Sequence, residues 1–220
     1  MNKTIYALYN EKRIKLRERN NKFFAPIRRR HLKDKDFTII SNNCWAGHVY
    51  RYYGLRYNTP TIGLYIWAND YMVLLQNLRT FLESKLFFIT ADESLHREEL
   101  IKRGHQDKPI GKLMVDDKSV EIVFLHYANE EEARVKWERR VRRVNYDHLI
   151  IKNSYQNGFC DDMIEEFERL PFENKVCFVH KPTLVGKHII YFKGFEKCQE
   201  LLNDTNDFKK YINLEMLLNS

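Results

Sequence analysis

The sequence lacks several features by which whole classes of protein are recognised. Its longest apolar runs, such as residues 86–89, are far shorter than the roughly 20 residues that a membrane-spanning helix needs. The N-terminal residues contain no apolar core of a secretory signal peptide. Glycine and proline are scarce, at 8 and 5 residues of 220, so the chain is not collagen-like. These absences, with 30% charged and 44% hydrophobic residues, predict one compact cytoplasmic protein.

Cysteine is also sparse and is not arranged for metal binding. The four cysteines, at 44, 160, 177 and 198, form no CxxC motif and no zinc-finger spacing, so we expect reduced thiols and no metal site. Neither of the nucleotide-binding motifs GxGxxG and Walker A is present, so no motif in the sequence indicates a particular cofactor.

The positive charge is concentrated at the N-terminus. Residues 1–36 hold 12 basic and 4 acidic side chains, a net charge of +8, whereas residues 37–220 have a net charge of −1. We therefore predict a basic helical arm over 1–36 and a single domain over 37–220. Such an arm could contact an anionic membrane surface at the inner face of the membrane; the alternative is a solvated helix packed on the domain. The nearly neutral domain lacks an RNA-binding aromatic motif, so no specific nucleic-acid partner is expected.

Short apolar strands alternate with helical segments along residues 37–220. Strand-like runs occur at 37–40, 61–67, 86–89, 148–152, 176–179 and 189–192, and residues 112–115 and 119–125 resemble a β-hairpin. This alternation predicts an α/β fold in which a mostly parallel sheet carries helices on both faces, a Rossmann-like arrangement with an antiparallel hairpin added.

Polar residues follow several predicted strands, and the first such group is the most informative. Ser41, Asn42 and Asn43 come directly after the strand at 37–40 and before a helix that Gly54 ends. The free N–H groups of a helix start attract phosphate or carboxylate, so this turn could hold an anionic donor. Alternatively, one asparagine simply caps the helix.

Cys44 and His48 lie four residues apart and would share one face of that helix. A cysteine in a first helical turn can have a lowered pKa, and an imidazole nearby can take its proton, which would give a nucleophile and its base. The alternative is a small buried cysteine beside a hydrogen-bonded histidine.

Two further histidines follow predicted strands, His126 after 120–125 and His180 after 176–179. Imidazole is the commonest group for proton transfer at neutral pH, so each is a candidate general acid or base. Lys181 could meet a phosphate. All three are also ordinary residues for a loop. Asp116-Asp117 resembles the acidic pair of many glycosyltransferases, but it also suits a hairpin turn.

Several stretches resemble a bacterial family labelled as a domain of unknown function, number nineteen-nineteen. The stretches are FTIISNNCWAGHVYRYY, YNTPTIGLYI, VFLHY, WERRVRRVNYD and LPF, within residues 37–182. The resemblance implies an α/β fold and a role in making capsule or exopolysaccharide, and it supplies no catalytic residues. Besides the residues above, it directs attention to Trp45, Gly47, Tyr57, Asn58 and Tyr127.

The leading interpretation is a cytosolic transferase in cell-surface polysaccharide biosynthesis. It would move a sugar or sugar-modifying group from an activated sugar or acyl donor held at the 41–48 turn, with His126 or His180 deprotonating the acceptor. The alternatives are a hydrolase or acyltransferase that uses Cys44 and His48, and a non-catalytic binding module at the membrane surface.

Overall fold

Two four-stranded sheets form the framework of the protein. The computed structural model describes residue 16, residues 18–202 and residues 204–220. The first sheet is parallel and contains β1 (Thr38–Ser41), β6 (Leu149–Ser154), β7 (Lys175–Val179) and β8 (Ile189–Tyr191), in that order. The second is antiparallel, in the order β2 (Tyr65–Ile66), β5 (Lys118–Val123), β4 (Ile110–Val115) and β3 (Phe87–Ile89).

Helices occupy the segments between and after these strands. Residues 18–28 are helical and are called α1. The others are α2 (Trp45–Tyr53), α3 (Ala68–Gln76), α4 (Leu78–Glu83), α5 (Arg97–Arg103), α6 (Glu130–Val141), α7 (Met163–Arg169), α8 (Asp204–Asp207) and α9 (Leu214–Leu218). Among the described residues, no helix is long and apolar enough to cross a membrane.

The parallel sheet is buried on both faces because its strands are apolar at successive positions. Ile39, Ile150 and Phe178 face α2 and the C-terminal segment, whereas Ile40 and Ile151 face a core shared with the antiparallel sheet. The α/β class and the covered faces agree with the sequence. The predicted single sheet with one hairpin is wrong, because β2 and β3 join the β4–β5 hairpin to make a separate second sheet.

The two sheets are joined at the carboxyl end of the parallel one. The carbonyl oxygen of Asn42, just after β1, accepts a hydrogen bond from the Ile66 amide of β2 at 3.1 Å. The carbonyl oxygen of Asn157, just after β6, accepts one from the Ala68 amide at 2.8 Å. The edge where parallel sheets bind ligands is therefore also the junction between the sheets.

The described part of the N-terminal segment packs on α2. Arg28 donates to the Tyr52 carbonyl at 2.9 Å, and Arg29 donates to the carbonyls of Tyr53 and Gly54 at 2.9 and 3.0 Å, so both arginines satisfy the C-terminal end of α2. Ala25 is buried beside Gly54. Most of the first half of the predicted basic helical arm over 1–36 falls outside the described residues; the described helix continues through Pro26 to residue 28.

Local sequence signals are followed at some helix ends and not at others. Residues 92–109 show no clear apolar period, yet they contain the two-turn helix α5, and residues 204–218 form several short helical turns. The helix α3 starts at Ala68 and breaks at Asn77. Asn129 is a preferred N-cap residue type, and its side chain accepts from the Glu132 amide at the start of α6.

Close packing between β4 and its neighbours generates a testable prediction. A Cβ atom on Gly111 would lie 2.6 Å from the buried ring of Phe124 and 2.7 Å from Leu86. We expect Gly111→Ala to lower the free energy of unfolding by about 1–3 kcal/mol, because the Phe124 ring has no free volume into which to move. Urea unfolding measures this; Met114→Ala, at an exposed position of the same strand, should change stability little. Equal stability of the two variants would contradict the packing described.

Candidate functional site

The turn after β1, which the sequence suggests as an anion site, is closed by its own hydrogen bonds. Ser41, Asn42 and Asn43 are buried. The Asn42 amide donates to the Ser154 carbonyl at 3.1 Å, and the Asn43 side-chain oxygen accepts from Ser41 Oγ and the Trp45 amide, both at 3.0 Å. The structure therefore gives an external ligand no access to these groups and supports the capping interpretation instead.

The same turn belongs to a buried ion pair between Lys152 of β6 and Asp204 of α8. Both side chains are fully buried, and their charged atoms are in direct contact. Lys152 also donates to Asn43 Oδ1 at 3.0 Å and to Ser154 Oγ at 2.6 Å, while Asn43 Nδ2 donates to Asp204 at 2.8 Å. Burial lowers the pKa of Lys152, and the Asp204 carboxylate opposes that shift.

This ion pair fixes a segment that we call the strap, residues 198–202 and 204. The Leu201 amide donates to the Tyr155 carbonyl at 2.8 Å. Glu200 accepts from the Asn157 amide at 2.5 Å and from the Arg103 guanidinium at 2.8 and 2.9 Å. The strap thus lies across the carboxyl end of β6. It covers the part of the edge next to β1 and leaves a cavity beside Asn157.

That cavity has a volume of about 860 Å³. Its walls come from the start of α3, from α5, from the turn after β6 and from the strap, so residues remote in sequence meet there. The lining residues include Trp67, Ala68, Asn69, His96, Glu99, Lys102, Arg103, Asn157, Gly158 and Glu200. The volume suits a ligand of the size of a small cofactor or an activated sugar.

His96 of this wall is paired with an aspartate that lies behind it. His96 Nε2 lies 2.5 Å from Asp70 Oδ2, and the side chains are 21% and 9% exposed. Asp70 comes from the first turn of α3, and His96 immediately precedes α5. The His96 ring also stacks on Trp67, with centroids 5.0 Å apart. A carboxylate on one ring nitrogen fixes the imidazole and leaves Nδ1 as the proton acceptor.

The groups around this pair are held firmly, and one of them lacks a partner. The Arg103 guanidinium lies 4.8 Å from the Trp67 ring and donates to Asn157 Oδ1 at 3.2 Å. Asn157 has a left-handed backbone, with a φ of 58°, which is uncommon outside glycine and often marks functional turns. The buried indole Nε1 of Trp67 has no hydrogen-bond partner among the described residues, so the wall holds an unused donor.

Neither of the two histidines predicted as catalytic lines this cavity. His126 is exposed beyond β5 of the antiparallel sheet, beside Gly63. His180 is buried after β7, with its ring 4.7 Å from that of Tyr155. Burial and nearby lysines lower the pKa of both imidazoles. This cavity is therefore not the shared site expected for His126, His180 and the Asn42-Asn43 turn.

The environment of Cys44 opposes the predicted activation of its thiol. The thiol donates to the Leu64 carbonyl at 3.6 Å, and burial, assisted by the Asp204 charge, raises its pKa. The expected lowering of this pKa is wrong. His48 lies in the wall of a different cavity, between α1, α2 and the C-terminal segment.

Packing and hydrogen bonding within the protein account for the other predicted binding residues. Trp45 packs between Phe178 and Phe208. Asn58 donates to Asp36, and the Tyr127 hydroxyl donates to the Ile62 carbonyl. Gly47 is buried within α2. Tyr57 lies against Tyr50 and Arg140, and Lys181 forms an ion pair with Asp161. Among the described residues no group of three or more His, Cys, Asp or Glu is placed to hold a metal ion.

Comparison with known proteins places this architecture in a family. The sequence profile of the family described as "Domain of unknown function (DUF1919)" matches residues 15–219. The chain belongs to this family. It is also 33% identical over 199 residues to an uncharacterized protein of Haemophilus influenzae, a match that covers 88% of each chain. The family match includes every residue of the cavity wall.

Few local sequence signals point to the cavity. Asp70 and His96 are 26 residues apart, and His96 lies in a segment without clear periodicity. The only local signals were Trp67 at a strand end and the acidic first turn of the following helix. Neither signal shows that a histidine from another element comes within hydrogen-bond distance.

The buried ion pair predicts an asymmetric response to mutation. Lys152→Met should lower the free energy of unfolding by about 3–5 kcal/mol, because it leaves the Asp204 carboxylate buried without its cation. The double variant Lys152→Met/Asp204→Leu should recover most of this loss, since no charge remains in the core. Urea unfolding distinguishes the two outcomes. A double variant no more stable than the single one would show that the pair is not the controlling interaction.

Proposed function

We propose that the cavity beside the strap is the active site of a group transferase, with His96 as its general base. The observation that carries the proposal is the His96–Asp70 pair in the wall of a cavity at the carboxyl end of a parallel sheet. In Rossmann-like and other open α/β sheets, ligands bind outside that end. A histidine oriented by a buried carboxylate suits proton removal from a hydroxyl at neutral pH.

The reaction can be written from these residues. Nδ1 of His96 takes the proton of an acceptor hydroxyl while the hydroxyl oxygen bonds to the transferred group. The bond between that group and the donor breaks, and its electron pair leaves on the phosphate or thiolate of the donor. The Asp70 carboxylate accepts the Nε2 proton in a hydrogen bond and stabilises the imidazolium that forms.

The proposed donor is anionic and the proposed acceptor is a sugar. Lys102 and Arg103 lie at the end of α5, where Glu99 and Glu200 of the same wall balance their charges, and an anionic donor would take the place of these carboxylates. The unpaired indole N–H of Trp67 can donate to an oxygen of the ligand. The resemblance to proteins of capsule and exopolysaccharide loci favours a carbohydrate hydroxyl as the acceptor. We therefore propose a cytoplasmic enzyme of cell-surface polysaccharide biosynthesis that uses a nucleotide sugar or an acyl-CoA.

The alternative of a Cys44-dependent hydrolase or acyltransferase has less support. A nucleophilic cysteine reacts as the thiolate, and the surroundings of Cys44 favour the thiol. Replacing Cys44 by Ala should therefore leave turnover unchanged.

The catalytic pair can be tested by conservative substitution. We expect His96→Gln and Asp70→Asn each to lower kcat by roughly 10²–10⁴-fold, because each removes the oriented base, while KM for the donor stays within a few-fold. The probes are UDP-glucose, UDP-N-acetylglucosamine and acetyl-CoA with bacterial surface oligosaccharide as acceptor. The measurement is release of UDP or free CoA.

His126→Gln is the matched control, because it removes an exposed imidazole outside the cavity. It should turn over like the wild type. Full activity of His96→Gln, or loss confined to His126→Gln, would refute the assignment of the base. Absence of both turnover and a thermal shift with all three donor probes would refute the proposed donor class.

A further inference from the structure

One face of α1 leaves bulky apolar side chains in solvent. Phe23 is 73% exposed and Ile27 is 51% exposed, with Phe24 and Leu16 also exposed on this helix. At 100° per residue, Leu16, Phe23 and Ile27 fall within a narrow arc of the helix. We call these four residues the apolar stripe.

The orientation of this stripe is fixed by the opposite face of the helix. Ala25 lies almost diametrically across from Phe23 and Ile27 and is buried against α2. Arg28 and Arg29 anchor the end of α1 to the last carbonyls of α2. The helix therefore cannot turn its apolar stripe into the core without breaking these contacts, and the stripe remains directed outward.

The charge around the stripe identifies what would cover it. Arg19, Lys22 and Arg30 are exposed on or just after α1, and residues 1–36 carry a net charge of +8. A helix with aromatic and aliphatic residues on one side and flanking cations binds in the plane of a membrane interface, where anionic headgroups attract the cations. A second copy of the chain would bring the same positive charge against itself.

We infer that α1 docks the protein on the surface of an anionic lipid bilayer through the apolar stripe and its flanking basic residues. The rings of Phe23 and Phe24 and the side chain of Ile27 enter the boundary between headgroups and acyl chains, while Arg19 and Arg30 remain among the phosphates. The contact is peripheral and reversible, because a single short helix has limited apolar area. This docking does not depend on the function proposed for the cavity.

Co-sedimentation of the full-length protein with lipid vesicles tests the inference. We expect at least roughly tenfold tighter binding to phosphatidylcholine vesicles containing phosphatidylglycerol than to phosphatidylcholine alone, and weaker binding as salt is raised. Phe23→Ser/Ile27→Ser should weaken binding to the mixed vesicles about tenfold or more. Arg19→Gln/Arg30→Gln should remove much of the preference for phosphatidylglycerol.

The matched control is Leu95→Ser/Val185→Ser, which removes two apolar side chains that are 75% and 79% exposed outside α1. Its vesicle binding should equal that of the wild type. Thermal unfolding verifies that all variants are folded. Equal vesicle binding by Phe23→Ser/Ile27→Ser and the wild type would overturn the inference. So would a dimer that forms without lipid and depends on the apolar stripe. Tighter binding to single-stranded RNA than to the mixed vesicles would also overturn it.

Discussion

The buried contact between Lys152 and Asp204 is the interaction on which the carboxyl end of the parallel sheet depends. It joins a central strand to the C-terminal segment and also engages Asn43 and Ser154. Charges removed from water in this way are strongly destabilising unless each remains paired. The pair therefore specifies one position for the strap, and with it the wall of the cavity that Glu200 completes through Arg103 and the Asn157 amide.

The junction between the sheets explains why the cavity lies where it does. Asn42 and Asn157 use their carbonyl oxygens to hold the start of α3 and the end of β2 against the parallel sheet. This contact brings Asp70 and Trp67 to the edge of β6, and α5 returns His96 and Arg103 to the same place. A site assembled from a sheet edge, two helices and a strap can be rigid without a bound metal or a glycine-rich loop.

Local sequence signals predicted the pieces that local chemistry controls. The apolar run at β1, the Asn129 cap, the Gly54 terminus of α2 and the β4–β5 hairpin follow from propensity and turn chemistry. The second sheet was missed because β2 and β3 are short and pair only through tertiary contacts. The sequence of the polar turn after β1 suits a ligand site and a helix cap equally, because a sequence does not show that Lys152 and Asp204 bind Asn43. For the same reason a sequence does not reveal the His96–Asp70 pair.

Amide hydrogen exchange measures how firmly the strap is held at the carboxyl end of β6. The Leu201 amide, bonded to Tyr155, should exchange about as slowly as the Ile150 amide inside β6. In Asp204→Asn, exchange at Leu201 should become at least roughly a hundredfold faster while that at Ile150 changes far less, because the strap opens before the sheet does. The strap is not held by the Lys152–Asp204 pair if the Leu201 amide of the wild type exchanges as fast as that of exposed Val185. The same conclusion follows if the Leu201 amide exchanges equally fast in the wild type and in Asp204→Asn.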